Sequence, residues 1–367
     1  MKQNNSVMLN SILIKGYKSI VECHVELGSL NVLIGANGSG KTNFISFFKL
    51  IRTMIESNLQ RFVTQKGGPD ALLHFGRKNT SSIYAKLSFN STPYEIELVP
   101  TDTNQLMIDR EIVYIGSNEA PLPLMSGGYL ESHAEHYTHT PSENENLRSL
   151  IKQIKNWHIY HFYDTSNTAK VKQVHQINDN LYLREDGSNL AAFLYKLERD
   201  YSKNYYRIIK TIQKIAPFFG GFILRPIPGN ESCIQLEWYE KGYDIPFTAY
   251  HFSDGTLRFA LIATLLCQPY EEENSILIID EPEIGLHPYA IAILGALFKS
   301  ASHTRQIIIS TQSIELVNCF EVGDLIVINK IEHQTKMKKL NKNDWEEWLS
   351  DYQLGELWNK NMFGGRL

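Results

Sequence analysis

The sequence is short of three things: long apolar runs, clustered cysteines and an excess of basic charge. No stretch approaches the roughly 18 consecutive apolar residues of a membrane-spanning helix. The N-terminal MKQNNSVMLN is polar and lacks the apolar core of a secretory signal. Both absences lead us to expect a cytoplasmic protein with no membrane partner. The four cysteines, Cys23, Cys233, Cys267 and Cys319, stand far apart with no CxxC pair, the usage of reduced, buried thiols. A net charge of -4 over 367 residues gives no global basic field for nucleic acid, so only a local basic stripe could serve one. No sustained heptad of apolar residues is visible, which excludes a long coiled-coil arm.

What is present is concentrated in a few segments. LNVLIGANGSGKTNF, residues 30–44, runs an apolar strand into the full GxxxxGK[ST] pattern. Phe44, Phe47, Phe48, Ile51 and Ile55 then recur at helical spacing. Glycines at 35, 38 and 40 let the backbone wrap a phosphate with its N–H groups inward, and the helix N-terminus adds favourable partial charge. Lys41 is placed to reach the β- and γ-phosphates of a nucleoside triphosphate and Thr42 to ligand Mg²⁺.

SILIIDEPEIGLHP, residues 275–288, supplies the acidic counterpart. A continuous apolar run predicts a parallel strand buried on both faces. Asp280 and Glu281 at its carboxyl end point into the crevice where such sheets bind ligands. Asp280 is expected to hold the Mg²⁺ shell and Glu281 to orient and polarise the attacking water. RQIIISTQS, residues 305–313, predicts a second buried strand, whose end makes Gln312 a candidate γ-phosphate sensor. HFSDGTLRFA, residues 251–260, sets a Ser-x-Gly turn ahead of an apolar helix, an arrangement suited to holding an anion.

Together GANGSGKTN, ILIIDEPEIGLHP and FSDGTLR resemble the ABC-type ATPase superfamily in its RecF/SMC-like branch. WHIYHFYDTS (157–166), DGSNLAAFLYKL (186–197) and LGELWNKNMFGG (354–365) resemble a bacterial group of AAA-type ATPases within it. The resemblance implies an α/β fold: a P-loop NTPase of ABC/SMC head type, with a mixed central sheet, an antiparallel β lobe and a helical insertion. It implies that ATP contacts Gly35, Ala36, Asn37, Gly38, Ser39, Gly40, Lys41, Thr42 and Asn43. It further implies that Ser253, Asp254 and Gly255 meet the γ-phosphate of an ATP held by a second copy, in a homodimer that sandwiches two nucleotides. Where ABC transporters carry a histidine switch this chain has Gln312, which cannot act as acid or base. Glu281 is then left to activate water, and turnover is expected to be slow. Asp164 reads equally as a Mg²⁺ contact from a Q-loop equivalent or as the cap of a turn.

The interval from Thr42 to Ser253 holds no SMC-like arm. Residues 313–367 fall short of the usual domain of about 100–150 residues, so a fused TOPRIM nuclease is not expected. We divide the chain into an N-terminal lobe (1–116), a polar loop with helical insertion and return strands (117–250), and a C-terminal lobe (251–367). Within this division 117–146 reads as a mobile polar loop and 147–216 as mostly helical. His133, His136 and His139 read as solvated loop residues rather than a metal site, and His158 and His161 as structural. KGGPDALLHFGRKNT (66–80), with Arg77 and Lys78, could touch adenine, phosphate or DNA. Lys330, Lys336, Lys338, Lys339 and Lys342 form the most basic run. The function expected is an ATPase that regulates a separately encoded effector, as in anti-phage defence modules; the alternative is a RecF-like DNA clamp in repair.

Overall fold

The computed structural model describes residues 8–89, 92–115, 120–139, 145–269 and 276–365. Strands β1 (Leu9–Tyr17), β2 (Ile20–Glu26) and β3 (Leu30–Ile34) lead to the helix Lys41–Ile55. After the helix Leu59–Gln65 come β4 (Ile83–Phe89), β5 (Tyr94–Pro100), β6 (Leu106–Ile115) and β7 (Ala120–Tyr129). The helix Glu145–Lys155 precedes β8 (His158–Tyr160), and the helices Leu190–Asp200 and Ser202–Ile215 follow. Short strands β9 (His175–Gln176), β10 (Phe219–Ile223), β11 (Pro226–Ile227), β12 (Asn230–Ile234), β13 (Glu237–Glu240) and β14 (Phe247–Thr248) form two three-stranded sheets. Then come the helix Asp254–Cys267, β15 (Ile276–Asp280), the helix Pro288–Ser302, β16 (Gln306–Thr311), and the hairpin β17 (Leu325–Ile331) with β18 (Gln334–Lys339).

Six strands in the order β18-β17-β3-β16-β15-β8 make the central sheet, parallel except for the β17–β18 edge pair. β3, β15 and β16 are buried at every position, as strands covered on both faces must be. Their side chains alternate between two cores. Val32, Ile34, Leu277, Ile279, Ile307 and Ile309 share a core with the helix Asp254–Cys267. Leu33, Ile276, Ile278 and Ile308 share the other with the helix Lys41–Ile55 and the second large sheet. That second sheet, β2-β1-β4-β5-β6-β7, is antiparallel throughout. The helix Asp254–Cys267 is buried at every position from Leu257 to Cys267, so its apolar composition reflects enclosure on all sides. The longest described helices have 15 residues, far short of a coiled-coil arm.

Two expectations need correcting. Residues 117–146 do not form one polar loop, because β7 pairs with β6 and a short helix, His136–His139, follows it. Pro121 and Pro123 disguise the strand in the sequence. They are tolerated because β7 is the sheet edge, whose outward-facing N–H groups have no strand partner to lose. Residues 116–119 and 140–144 lie outside the described residues. The segment 147–216 is helical only at its two ends. Between β8 and Leu190 the chain has no α-helix: it runs through a series of turns, the 3-10 turn Lys170–Lys172 among them, and through β9, which pairs with β12. Its Asn and Asp side chains, among them Asp164, Asn180, Asp186 and Asn189, bond the local backbone and compete with helix.

Candidate functional site

The phosphate loop is clamped from behind by the β17–β18 hairpin. Gly40 has φ +116°, and a Cβ there would collide with the Thr335 side chain; at Gly35 it would collide with the Ile328 carbonyl. Thr335 is fully buried on β18 and donates from Oγ1 to the Ser39 carbonyl at 2.9 Å. The helix Lys41–Ile55 begins with Gly40 at its N-cap, no capping side chain and no acid in its first turn. Its first N–H groups are therefore open to an anion. Lys41 is buried, and its ammonium donates to the carbonyls of Gly35 (2.6 Å) and Ala36 (3.0 Å). Burial lowers its pKa, against the opposing pull of Glu281, Asp280 and Glu283. Thr42 is exposed, whereas Asn43 turns aside to donate to Ser19 Oγ at 2.7 Å. Beside Ala36, Asn37, Gly38 and Ser39 lies a cleft of about 450 Å³, bordered by Lys330 and His333.

Across the sheet, Asp280 is buried at the end of β15 and accepts a hydrogen bond from Ser310 Oγ. Two residues after β8 complete its surroundings: His161 Nδ1 lies 3.7 Å from Asp280 Oδ2, and Tyr163 is close enough to feel the same carboxylate. Burial lowers the His161 pKa while Asp280 pulls the other way; burial and then Asp280 raise that of Tyr163. Glu281 holds φ +45°, a left-handed backbone that costs a non-glycine residue about 1–3 kcal/mol and clusters at functional sites. Its carboxylate accepts from the Gln312 side-chain amide. Glu283 braces the same turn, accepting from Thr311 Oγ1 at 2.5 Å and from the Gln312 backbone at 3.1 Å. Burial raises the Glu283 pKa.

Lys41, Asp280, Glu281 and Gln312 are thus brought to one place. Open helix amides, a buried ammonium, an exposed Thr42 hydroxyl and a buried Asp280 fit a Mg²⁺–nucleoside triphosphate. Asp164 is not joined to them: it is exposed, and accepts from the backbone (3.1 Å) and hydroxyl (2.7 Å) of Ser166, capping its own turn. On an extended segment alternate side chains share a face, so His161 and Tyr163 reach Asp280 and Asp164 points away. Arg77 is tied to Asp70 at 3.1 Å and to the Thr101 carbonyl at 2.9 Å. His133 and His136 are exposed, the His139 side chain lies outside the described residues, and among the described residues no cluster suited to a metal ion is present.

Ser253 caps the helix Asp254–Cys267, accepting from the Thr256 N–H at 3.2 Å. Ser253 and Asp254 are exposed, and the Gly255 Cα lies where a Cβ would strike the Gly285 carbonyl. One turn further along, Arg258 is buried and donates to the carbonyls of Phe162 (2.7 Å), Tyr163 (3.0 Å) and Ile284. A single guanidinium therefore ties the Ser-Asp-Gly helix to the segment that follows β8 and to the turn after Glu283. The sequence singles out none of Arg258, Tyr163 and Glu283, and His161, expected there to be structural, lies beside Asp280. Apart from the charge of Arg258 within an otherwise apolar helix, no local signal marks them, since their partners lie far along the chain.

Known proteins share this architecture. An SmcHead solved bound to the C-winged helix domain of ScpA aligns over 93% of this chain and 99% of its own, with TM-score 0.61 and 14% identity. An Smc head domain with an extended coiled coil, bound to the C-terminal domain of ScpA derived from Pyrococcus furiosus, aligns over 94% and 99%, with TM-score 0.56 and 14% identity. At that identity they establish the fold, a P-loop NTPase of ABC/SMC head type. The Old nuclease of Escherichia phage P2 is 22% identical over 93% of this chain, which spans 62% of that relative's length. No described helix is long and apolar enough to cross a membrane. Residues 30–318 match the family described as "AAA domain, putative AbiEii toxin, Type IV TA system", and the chain belongs to this family of P-loop ATPases.

Proposed function

We propose that this protein hydrolyses ATP to ADP and phosphate, and that two copies close around two ATP molecules to regulate a separate effector protein. The observation that carries the hydrolytic reading is the Glu281 carboxylate. It is fixed by the Gln312 amide and a left-handed backbone at the end of the strand bearing Asp280. The open amides of residues 38–42 and the Lys41 ammonium would bind the β- and γ-phosphates. Thr42 and Asp280 would hold Mg²⁺, which when bound neutralises charge on the phosphates. Glu281 would accept a hydrogen bond from water, align it with the γ-phosphorus and take up its proton. Gln312 cannot take that proton; it positions Glu281.

The homodimer is supported by the incompleteness of the Ser-Asp-Gly turn. It presents an open helix end and an exposed hydroxyl, yet among the described residues the Ser253 side chain bonds only within its own turn. A two-fold pair would give each phosphate loop the turn of its partner. ATP can drive such closure only through higher affinity for the closed state, and a partner must distinguish that state for work to be done. The segment 147–216 is the surface we assign to that partner. The family description and the nuclease relative make toxin-like proteins and nucleases the effector classes to test first, with anti-phage defence in the cytoplasm as the setting. The test is recovery of the tagged Glu281→Gln protein from its native host with and without ATP. A discrete protein partner whose recovery depends on ATP supports the regulator.

A second reading, an ATP-closed DNA clamp, is favoured by the exposed Lys336 and Lys338 on the edge strand β18 and by Lys330 and Lys342 beside it. DNA recovered alone, with retention falling steeply between two salt concentrations, would select it.

A further inference from the structure

Beneath the Ser-Asp-Gly turn lies a charge that no motif accounts for. Lys172 closes the tight turn Lys170–Lys172 in the middle of the extended segment. Its side chain is 3% exposed, and among the described residues the one acid at ion-pair distance from its ammonium is Asp254, at 3.8 Å and 67% exposed. That distance is too long for a hydrogen bond, and Lys172 Nζ makes none among the described residues. The stem is enclosed, and the ammonium at its end offers three donors that no described group accepts. The turn is held under the Ser-Asp-Gly turn by its neighbours. Gln173 Nε2 donates to the Tyr250 hydroxyl at 3.0 Å, and Gln235 Nε2 donates to the Lys172 carbonyl at 3.2 Å.

Asp254 gives this charge a purpose. The N-terminus of a 14-residue helix attracts an anion with roughly half a unit of positive charge. A carboxylate at its first position outweighs that attraction, so alone the turn would repel a phosphate. The Lys172 ammonium cancels the Asp254 charge and restores the field of the helix end. We propose that Lys172 is a phosphate-binding residue. Together with Ser253 and the open amides of the helix Asp254–Cys267, it would receive the terminal phosphate of an ATP held by a second copy of this chain. The proposal rests on the two-ATP dimer proposed above and adds a residue from the central segment to its shared site.

The test uses the full chain in the Glu281→Gln background, with the dimer dissociation constant measured by sedimentation in saturating Mg²⁺–ATP and in ADP. Lys172→Met keeps the buried stem and removes the charge. It should weaken the ATP dimer about tenfold or more, as expected for a lost charge-assisted bond. Affinity of the monomer for ATP should not change, and Lys172→Arg should recover most of the loss. An ATP dimer as tight in Lys172→Met as in Glu281→Gln alone overturns the role of Lys172 and leaves the dimer standing. A Glu281→Gln protein that stays monomeric in ATP overturns the dimer and this proposal together. If Lys172→Met melts below the assay temperature, Asp254→Asn replaces it. Removing the repelling carboxylate should tighten the ATP dimer about threefold or more, and an unchanged or weaker dimer overturns the proposal.

Discussion

The phosphate loop and the Ser-Asp-Gly turn each open a helix of similar length, yet they are finished to different degrees. At the loop, Gly40 leaves the helix end uncapped, Thr335 and the Ile328 carbonyl fix the backbone from behind, and Lys41 is already buried at the mouth. Opposite it, Asp280, Glu281 and Gln312 are held in place by the Ser310 hydroxyl and the Glu281–Gln312 bond. At the turn, Ser253 spends its hydroxyl on Thr256, and the nearest charges, Asp254 and Lys172, do not reach hydrogen-bonding distance. One region is preorganised for an anion within its own chain, the other only once a second chain supplies one. The difference separates what a monomer should do, bind ATP, from what it should not do, hydrolyse it efficiently.

The largest effect expected is at the finished end. Lys41→Ala should abolish ATP binding by calorimetry while melting changes little, because Lys41 bonds only carbonyls that the phosphates would release. Unchanged affinity would remove the phosphate-loop assignment. Glu281→Gln should bind ATP normally and turn it over at least about a hundredfold more slowly. A near wild-type rate in a phosphate-release assay would move the base elsewhere.

Ser253→Arg acts at the unfinished end. It should leave ATP affinity intact and block ATP-dependent dimerisation, and a monomer that still hydrolyses at the wild-type rate would erase the distinction between the two ends. Gln312→Ala should slow kcat by about tenfold with little change in KM, since Gln312 positions Glu281 rather than the nucleotide.

The smallest effect lies outside both regions. Burial would raise the Glu185 pKa, but His158, Arg52 and the Ile159 N–H hold it down to about 2, below its ordinary 4.5. A carboxylate depressed in this way stabilises the fold above its unfolded value, and the contribution drains away as pH falls from 4.5 towards 2. Glu185→Gln should therefore flatten the acid limb of stability against pH, and an unaltered limb in thermal melts would deny Glu185 that role.

The phosphate loop, the acidic strand end and the parallel core around them were legible in the chain because each is local. GxxxxGKT specifies its own backbone through glycine, and uninterrupted runs such as ILII specify burial on both faces. The edge strand β7 was hidden by its prolines, whose tolerance depends on being outermost, a property of the sheet and not of the segment. The missed site residues were hidden for a related reason. Arg258 meets Phe162 and Tyr163 across 96 and 95 positions of chain. Lys172 meets Asp254 from the far side of two helices and two small sheets.

By itself, then, the sequence determined that a triphosphate-binding loop and its acidic partner exist, because backbone conformation and burial follow from neighbouring residues. Only the tertiary structure decided which side chains surround Asp280, that Asp164 turns away from it, and that a buried lysine lies under the Ser-Asp-Gly turn. Those outcomes depend on which distant segments pack together, and packing of that kind leaves no periodicity in the chain to read.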